Sequence, residues 1–182
     1  MSLQIGWLVA SALLVLSACA TTSVPSRAET LASSCADPRF REMDFWVGEW
    51  EVQWDATPSL PAGVGRNTVT RELGVCVIQE RFEGGPATQG LVGHSVSTFH
   101  RQVGQWRQTW VDNKGGYFAL VGGRQGDQFV LESTRISEQM PQVRMVFEDI
   151  TDTSLTWRWQ RSTDGGATWA DEWVIYYSRI AS

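Results

Sequence analysis

The chain has 182 residues, with 15 Lys and Arg against 20 Asp and Glu, for a net charge of −5. That mildly acidic balance argues against nucleic acid as a partner, because a phosphate backbone calls for a basic surface. The length suits one domain with its own hydrophobic core.

The run from Leu3 to Ala18 is uncharged and rich in Leu, Val and Ala. It falls short of the about 20 apolar residues that a membrane helix needs. It ends in Leu16-Ser17-Ala18-Cys19, which resembles the lipobox of bacterial lipoproteins. In that reading residues 1–18 are a signal peptide, cut before Cys19, and the Cys19 thiol carries the lipid. The expected address is the periplasmic side of the outer membrane, since Ala20 rather than Asp follows the cysteine. An ordinary secretory peptide, cut after Ala18 or Ala20, competes with it. Met1 to Gly6 lacks the Lys or Arg with which signal peptides usually open.

Residues 19–36 are mostly small and polar and read as a flexible tether. Once Cys19 is set aside, Cys35 and Cys76 form an even pair, expected as a disulfide in an oxidising compartment. Two buried free thiols are the alternative. The expected domain spans 37–182, with one short helical turn over Asp37 to Met43.

From there the composition turns to Trp, Val, Thr, Phe and Tyr, punctuated by Gly; of ten Trp only Trp7 lies earlier. Period-two alternation between turn signals predicts strands at 45–54, 64–73, 76–83, 90–101, 105–112, 116–123, 128–136, 142–150, 154–163 and 169–180. Short links pair neighbours as hairpins. Around Gly74-Val75 a two-residue loop pairs Leu73 with Cys76, Arg71 with Ile78 and Val69 with Glu80. One face then carries Val69, Leu73, Cys76, Ile78 and Phe82, interrupted only by Arg71 and Glu80. At the last hairpin, a loop from Asp164 to Thr168 pairs Trp159 with Trp173, Trp157 with Ile175, Leu155 with Tyr177 and Arg161 with Asp171. Both registers set apolar side chains against apolar ones, as a sheet requires. Ten strands in meander order predict an all-β, closed antiparallel barrel, since closure removes the exposed edges. A sandwich is the competing architecture, and it needs longer crossovers.

Phe45-Trp46-Val47-Gly48-Glu49-Trp50 resembles the Gly-x-Trp opening strand of lipocalin-like barrels. Three further stretches, Thr70 to Ile78, Trp106 to Asp112 and Ser162 to Trp169, extend the resemblance over residues 43–178. The chain is similar to a bacterial secreted family, a domain of unknown function with a lipocalin-like (calycin) β-barrel. The resemblance implies that fold and supplies no activity. Members of that family commonly carry an acidic or amide residue near the positions of Ser97 and His100, where this chain departs from them.

The stretch Ser162 to Trp169 also matches the Asp-box hairpin of sialidase-type propellers. It occurs once, without a blade-length repeat, and Asp164 is expected to fold back on its own loop amides. His94 and His100 share one face of a strand, with no third ligand at metal spacing. They read as surface histidines, and neither a metal nor a cofactor is expected. No phosphate loop or nucleophile elbow is present.

The informative residues are polar groups on apolar stripes: Arg71, Glu80, Gln108 between Trp106 and Trp110, Asp112, and Asp171 between Trp169 and Trp173. If the stripes face inward, Arg71, Glu80, Trp106, Gln108 and Trp110 line a ligand cavity, with Arg71 meeting an anionic head group. Alternatively the polar groups satisfy one another: Arg71 with Glu80, Arg161 with Asp171, and Gln108 with backbone. Three functions follow. The first is a monomeric, lipid-anchored barrel that binds a small apolar or amphipathic molecule in the cell envelope. The second is a barrel enzyme that uses Glu80 as its acid or base. The third is a filled barrel with a structural or interaction role.

Overall fold

Alternating inward and outward side chains build ten antiparallel strands: Gly48–Trp54 (β1), Gly63–Glu72 (β2), Val77–Glu83 (β3), Val92–His100 (β4), Gln105–Asp112 (β5), Tyr117–Gln125 (β6), Gln128–Ser133 (β7), Gln142–Glu148 (β8), Ser154–Ser162 (β9) and Ala170–Arg179 (β10). The computed structural model describes residues 35–134 and 141–181. The expected signal peptide, the expected lipidation site Cys19, the expected tether up to Ser34 and the expected last residues of the seventh strand lie outside them. Each strand pairs with its sequence neighbours, and β1 pairs with β10, which closes the barrel. The expected fold is therefore the observed one, with a full meander and no open edge.

The expected registers hold where the strands are regular. Arg71 pairs with Ile78 and Val69 with Glu80, and Trp159 pairs with Trp173, Trp157 with Ile175 and Leu155 with Tyr177. Two details differ. The β2–β3 turn takes four residues rather than two, with Leu73, Gly74 and Val75 all at positive φ. Leu73 is thereby swung out to 69% exposure instead of joining the inner face. At the last hairpin a bulge between Asp171 and Trp173 lets Ala170 pair with Arg161. The extra residue, Glu172, takes the ion pair with Arg161 that was expected of Asp171. Asp171 turns to the outer face and binds Arg158 and Gln160.

The first strand starts three residues later than the sequence pattern implies, because Asp44–Trp46 forms a second 3-10 turn after Pro38–Arg41. These turns lie across one end of the barrel. Phe40, Met43 and Trp46 are buried there, each contributing roughly 1.5–3 kcal/mol of burial. Phe40 meets Phe99 edge-on, and Trp46 meets Phe147. The Cys35–Cys76 disulfide ties this segment to the β2–β3 turn. One end of the barrel is thus floored. At the other end emerge the loops 55–62, 84–91, 113–116 and 163–169.

Candidate functional site

Above the floor the barrel is hollow. A cavity of about 160 Å³, partly open to solvent, reaches down from the loop end to Trp46 and Tyr177. It is of the size that accepts a benzene-sized molecule, ~150 Å³. A fully packed interior does not describe this barrel.

Aromatic rings make most of the wall, and they touch in sequence. Trp110 meets Phe82 at 6.3 Å between centroids, and Phe82 meets Trp173 at 5.8 Å. Trp173 stands perpendicular to Trp157 at 6.1 Å. Trp157 lies nearly parallel to Trp159, and Phe118 caps Trp159 at 4.8 Å. The period-two alternation of β3, β5, β6, β9 and β10 brings these six side chains to the inner face, around one cavity.

Glu80 is the buried carboxylate of the wall, 5% exposed, on the inner face of β3. Its two neighbouring strands each supply one donor. From β2, the Asn67 amide nitrogen donates to one Glu80 oxygen at 2.8 Å; from β4, the Ser95 hydroxyl donates to the other at 2.6 Å. Asn67 also donates to the Tyr177 hydroxyl at 3.0 Å. Burial pushes the Glu80 carboxyl up to about 7, against the opposing pull of the bonds from Ser95 and Asn67. A carboxyl in that range exchanges its proton near neutrality, and a polar ligand group beside it decides its charge.

Near the open end, Trp110 and Asp112 belong together. The Trp110 indole N–H donates to Asp112 at 2.9 Å, and the amides of Lys114 and Gly116 donate to its other oxygen at 2.8 Å each. Burial pushes the Asp112 carboxyl up, but these bonds outweigh it and hold it below the usual range. The Trp110 ring can lie against β4 because Gly93 has no side chain; a Cβ there would overlap the indole.

Of the five ligand candidates read from the sequence, Glu80 and Trp110 line the cavity and the other three do not. Arg71 points to the floored end, pairs with Asp44 and donates to the Val75 carbonyl at 3.0 Å. It does not pair with Glu80. Trp106 is buried beside Phe99 and Phe129, and its indole donates to Glu42 at 3.0 Å. Gln108 is buried and donates to Ser97 at 3.0 Å, rather than to backbone. Diagonal proximity in the register was correct, but the barrel's depth separates residues that a flat sheet would bring together.

Asn67, Ser95 and Tyr177 carry no sequence signal of their own, since short polar residues and Tyr are common on either face of a strand. For Trp157, Trp159 and Trp173 the available signal is their register, which sets each against an apolar residue of the facing strand. Asp164 folds back as expected, accepting from the Thr168 amide at 2.9 Å and from the Thr168 and Ser162 hydroxyls. His94 lies on the outer face beside Arg81. Among the described residues no three His, Cys, Asp or Glu side chains stand close enough to hold a metal ion. No protein-family model and no curated protein matches this sequence.

Proposed function

We propose that the barrel is a binding protein that admits a small, largely apolar, ring-bearing molecule through its open end. The observation that carries this reading is the aromatic cavity with one buried carboxylate at its inner wall. Ligand sites of this kind pair apolar walls with a few placed polar groups. Native mass spectrometry of gently extracted protein, with tryptophan fluorescence against a panel of small aromatic compounds, tests it. A retained small molecule, or saturable quenching, supports the reading. No retained mass and no quenching by any compound would end it.

The same cavity supports a second reading, an enzyme with Glu80 as its single acid–base group. It rests on the carboxyl being raised to about 7, where one group can both give and take a proton. Turnover of a bound ligand that is lost in Glu80→Gln while binding persists would favour it over simple binding.

The address belongs to the proposal as well. We place the domain in the cell envelope, lipid-anchored through Cys19. The Cys35–Cys76 disulfide is consistent with an oxidising compartment. Cys19→Ser should leave unprocessed precursor, and recovery of the parent protein without N-terminal acylation would remove the anchor.

A further inference from the structure

The charge of the cavity points to a ligand class. Among the described residues two carboxylate side chains line it, Glu80 at the inner wall and Asp112 nearer the opening, and no Lys, Arg or His does. Arg71, the basic side chain on the inner face of β2, is taken up by Asp44 at the floored end. The same cavity is lined by a belt of six touching rings, Trp110, Phe82, Trp173, Trp157, Trp159 and Phe118. Aromatic faces carry negative potential and attract cations, most strongly where water is excluded. An anion entering this cavity would meet unfavourable potential from the rings and from both acids.

We propose that the cavity takes a small organic cation, a primary or secondary ammonium carried on an apolar body. The ammonium donates to Glu80 and the body packs on the aromatic belt. This deepens the binding reading above and rests on it. Glu80 can accept the donor because each of its oxygens has one protein partner, Asn67 or Ser95, and a carboxylate offers about four acceptor sites. A quaternary ammonium would have the rings but no proton to donate.

The protonation chemistry of the site agrees. A cation favours the ionised form of Glu80, so its binding must expel the proton that burial holds there. Among the described residues the other titratable groups on the cavity are Tyr177 from β10, whose phenol burial and the Glu80 charge push upward, and Asp112 from β5, held below its usual range. Asn67 from β2, Ser95 from β4 and Trp46 from the floor are neutral. Glu80 is therefore the group that titrates near neutrality, and cation binding weakens as it is protonated.

Three probes of matched shape test this on the folded domain: benzylamine, benzyl alcohol and benzoate, titrated by tryptophan fluorescence at pH 8 and pH 6. At pH 8 benzylamine should bind about tenfold or more tighter than benzyl alcohol, with benzoate weakest. Its affinity should fall about tenfold from pH 8 to pH 6, with little change for benzyl alcohol. In Glu80→Gln, which replaces the carboxylate by a neutral group of the same shape, the preference for the amine should collapse and its pH dependence should vanish. If benzyl alcohol or benzoate binds as tightly as benzylamine, the cation assignment is overturned and the binding reading survives. If none of the three binds at millimolar concentration, both fall.

Discussion

The guanidinium of Arg179, at the end of the last strand, lies 4.0 Å above the indole ring of Trp50 in the first. It also donates to the carbonyls of Val47 at 2.7 Å and Phe45 at 3.0 Å, on the segment that floors the barrel. Gly48 lies in its path at a φ of 143°, where a Cβ would strike the guanidinium. This explains the glycine of Gly48-Glu49-Trp50: it lets one arginine tie the closing strand pair to the floor. Trp50 in turn donates to the Trp46 carbonyl at 2.8 Å.

Arg179→Met should therefore destabilise the fold by roughly 2–4 kcal/mol, since it removes charge-assisted bonds and the cation–π contact together. Arg179→Lys should recover only part of this, because an ammonium cannot reproduce a planar fork. Urea denaturation of both variants checks the order. Equal stability of the Met and Lys variants with the parent would show that the floor does not depend on this clamp.

The Cys35–Cys76 disulfide joins residues 41 apart in sequence. The chain-entropy argument gives roughly 3–4 kcal/mol for a loop of that size. In a domain of this length that corresponds to a melting temperature lower by about 10 °C when both cysteines are changed to Ser. Differential scanning calorimetry measures it. Thiol titration of denatured, unreduced protein should find neither Cys35 nor Cys76 reactive.

The strand count, the closure and two hairpin registers were legible in the sequence because period-two alternation survives wherever one face is buried. Trp157, Trp159 and Trp173 sit where their pairing partners put them. Depth along the barrel axis was not legible. Arg71 and Glu80 are both inward and diagonal, yet one faces the floor and Asp44 while the other faces the cavity. Nothing local in the sequence announces that Phe40, Met43 and Trp46 fold under the barrel and take Arg71 and Trp106 out of the site. The Asp171 bulge was hidden for the same reason. One extra residue leaves the alternation of Trp173, Ile175 and Tyr177 intact while it reverses the face of the residue before it.

Arg71 gives a direct check of that division. Arg71→Met should cost about 1.5–3 kcal/mol of stability, by removing one of the two arginines paired with Asp44, which keeps Arg41, and the donor to the Val75 carbonyl. It should leave affinity for a cavity ligand unchanged. Denaturation and ligand titration on the same preparation separate the two quantities. A fall in affinity well beyond any unfolded fraction would return Arg71 to the site.

Glu80 should govern a pH dependence of stability. Its folded value of about 7 stands above an ordinary 4.5, so the native state holds the proton more tightly than the unfolded chain. The resulting stabilisation is complete below about pH 4.5 and is lost as pH rises through 7, a change on the order of 3 kcal/mol. Glu80→Gln keeps one oxygen for Asn67 and removes the charge. It should flatten this part of the profile and be more stable than the parent at pH 8. Chemical denaturation at pH 5, 6, 7 and 8 reads both effects. A parent profile as flat as that of the variant would mean that Glu80 is solvated in the folded state.

Gly93 and Trp110 offer a way to close the cavity without substituting its carboxylates. The indole lies against the β4 backbone at Gly93, so that a Cβ there would overlap its six-membered ring. Its N–H is held by Asp112, and the ring lines the cavity. In Gly93→Ala the ring must therefore shift, and the unfilled space available to it is the cavity. Overpacking of this kind costs typically about 1–3 kcal/mol, within reach of a fold that keeps its disulfide and its floor. The variant should remain folded, with lower affinity for any cavity ligand by about tenfold or more and a changed tryptophan emission. Adding Trp110→Phe to Gly93→Ala removes the overlapping ring and should restore access, at the cost of one wall. If Gly93→Ala folds and binds as the parent does, Trp110 moves away from the cavity instead and is not one of its walls. If the double variant stays closed, the block comes from β4 itself rather than from the indole.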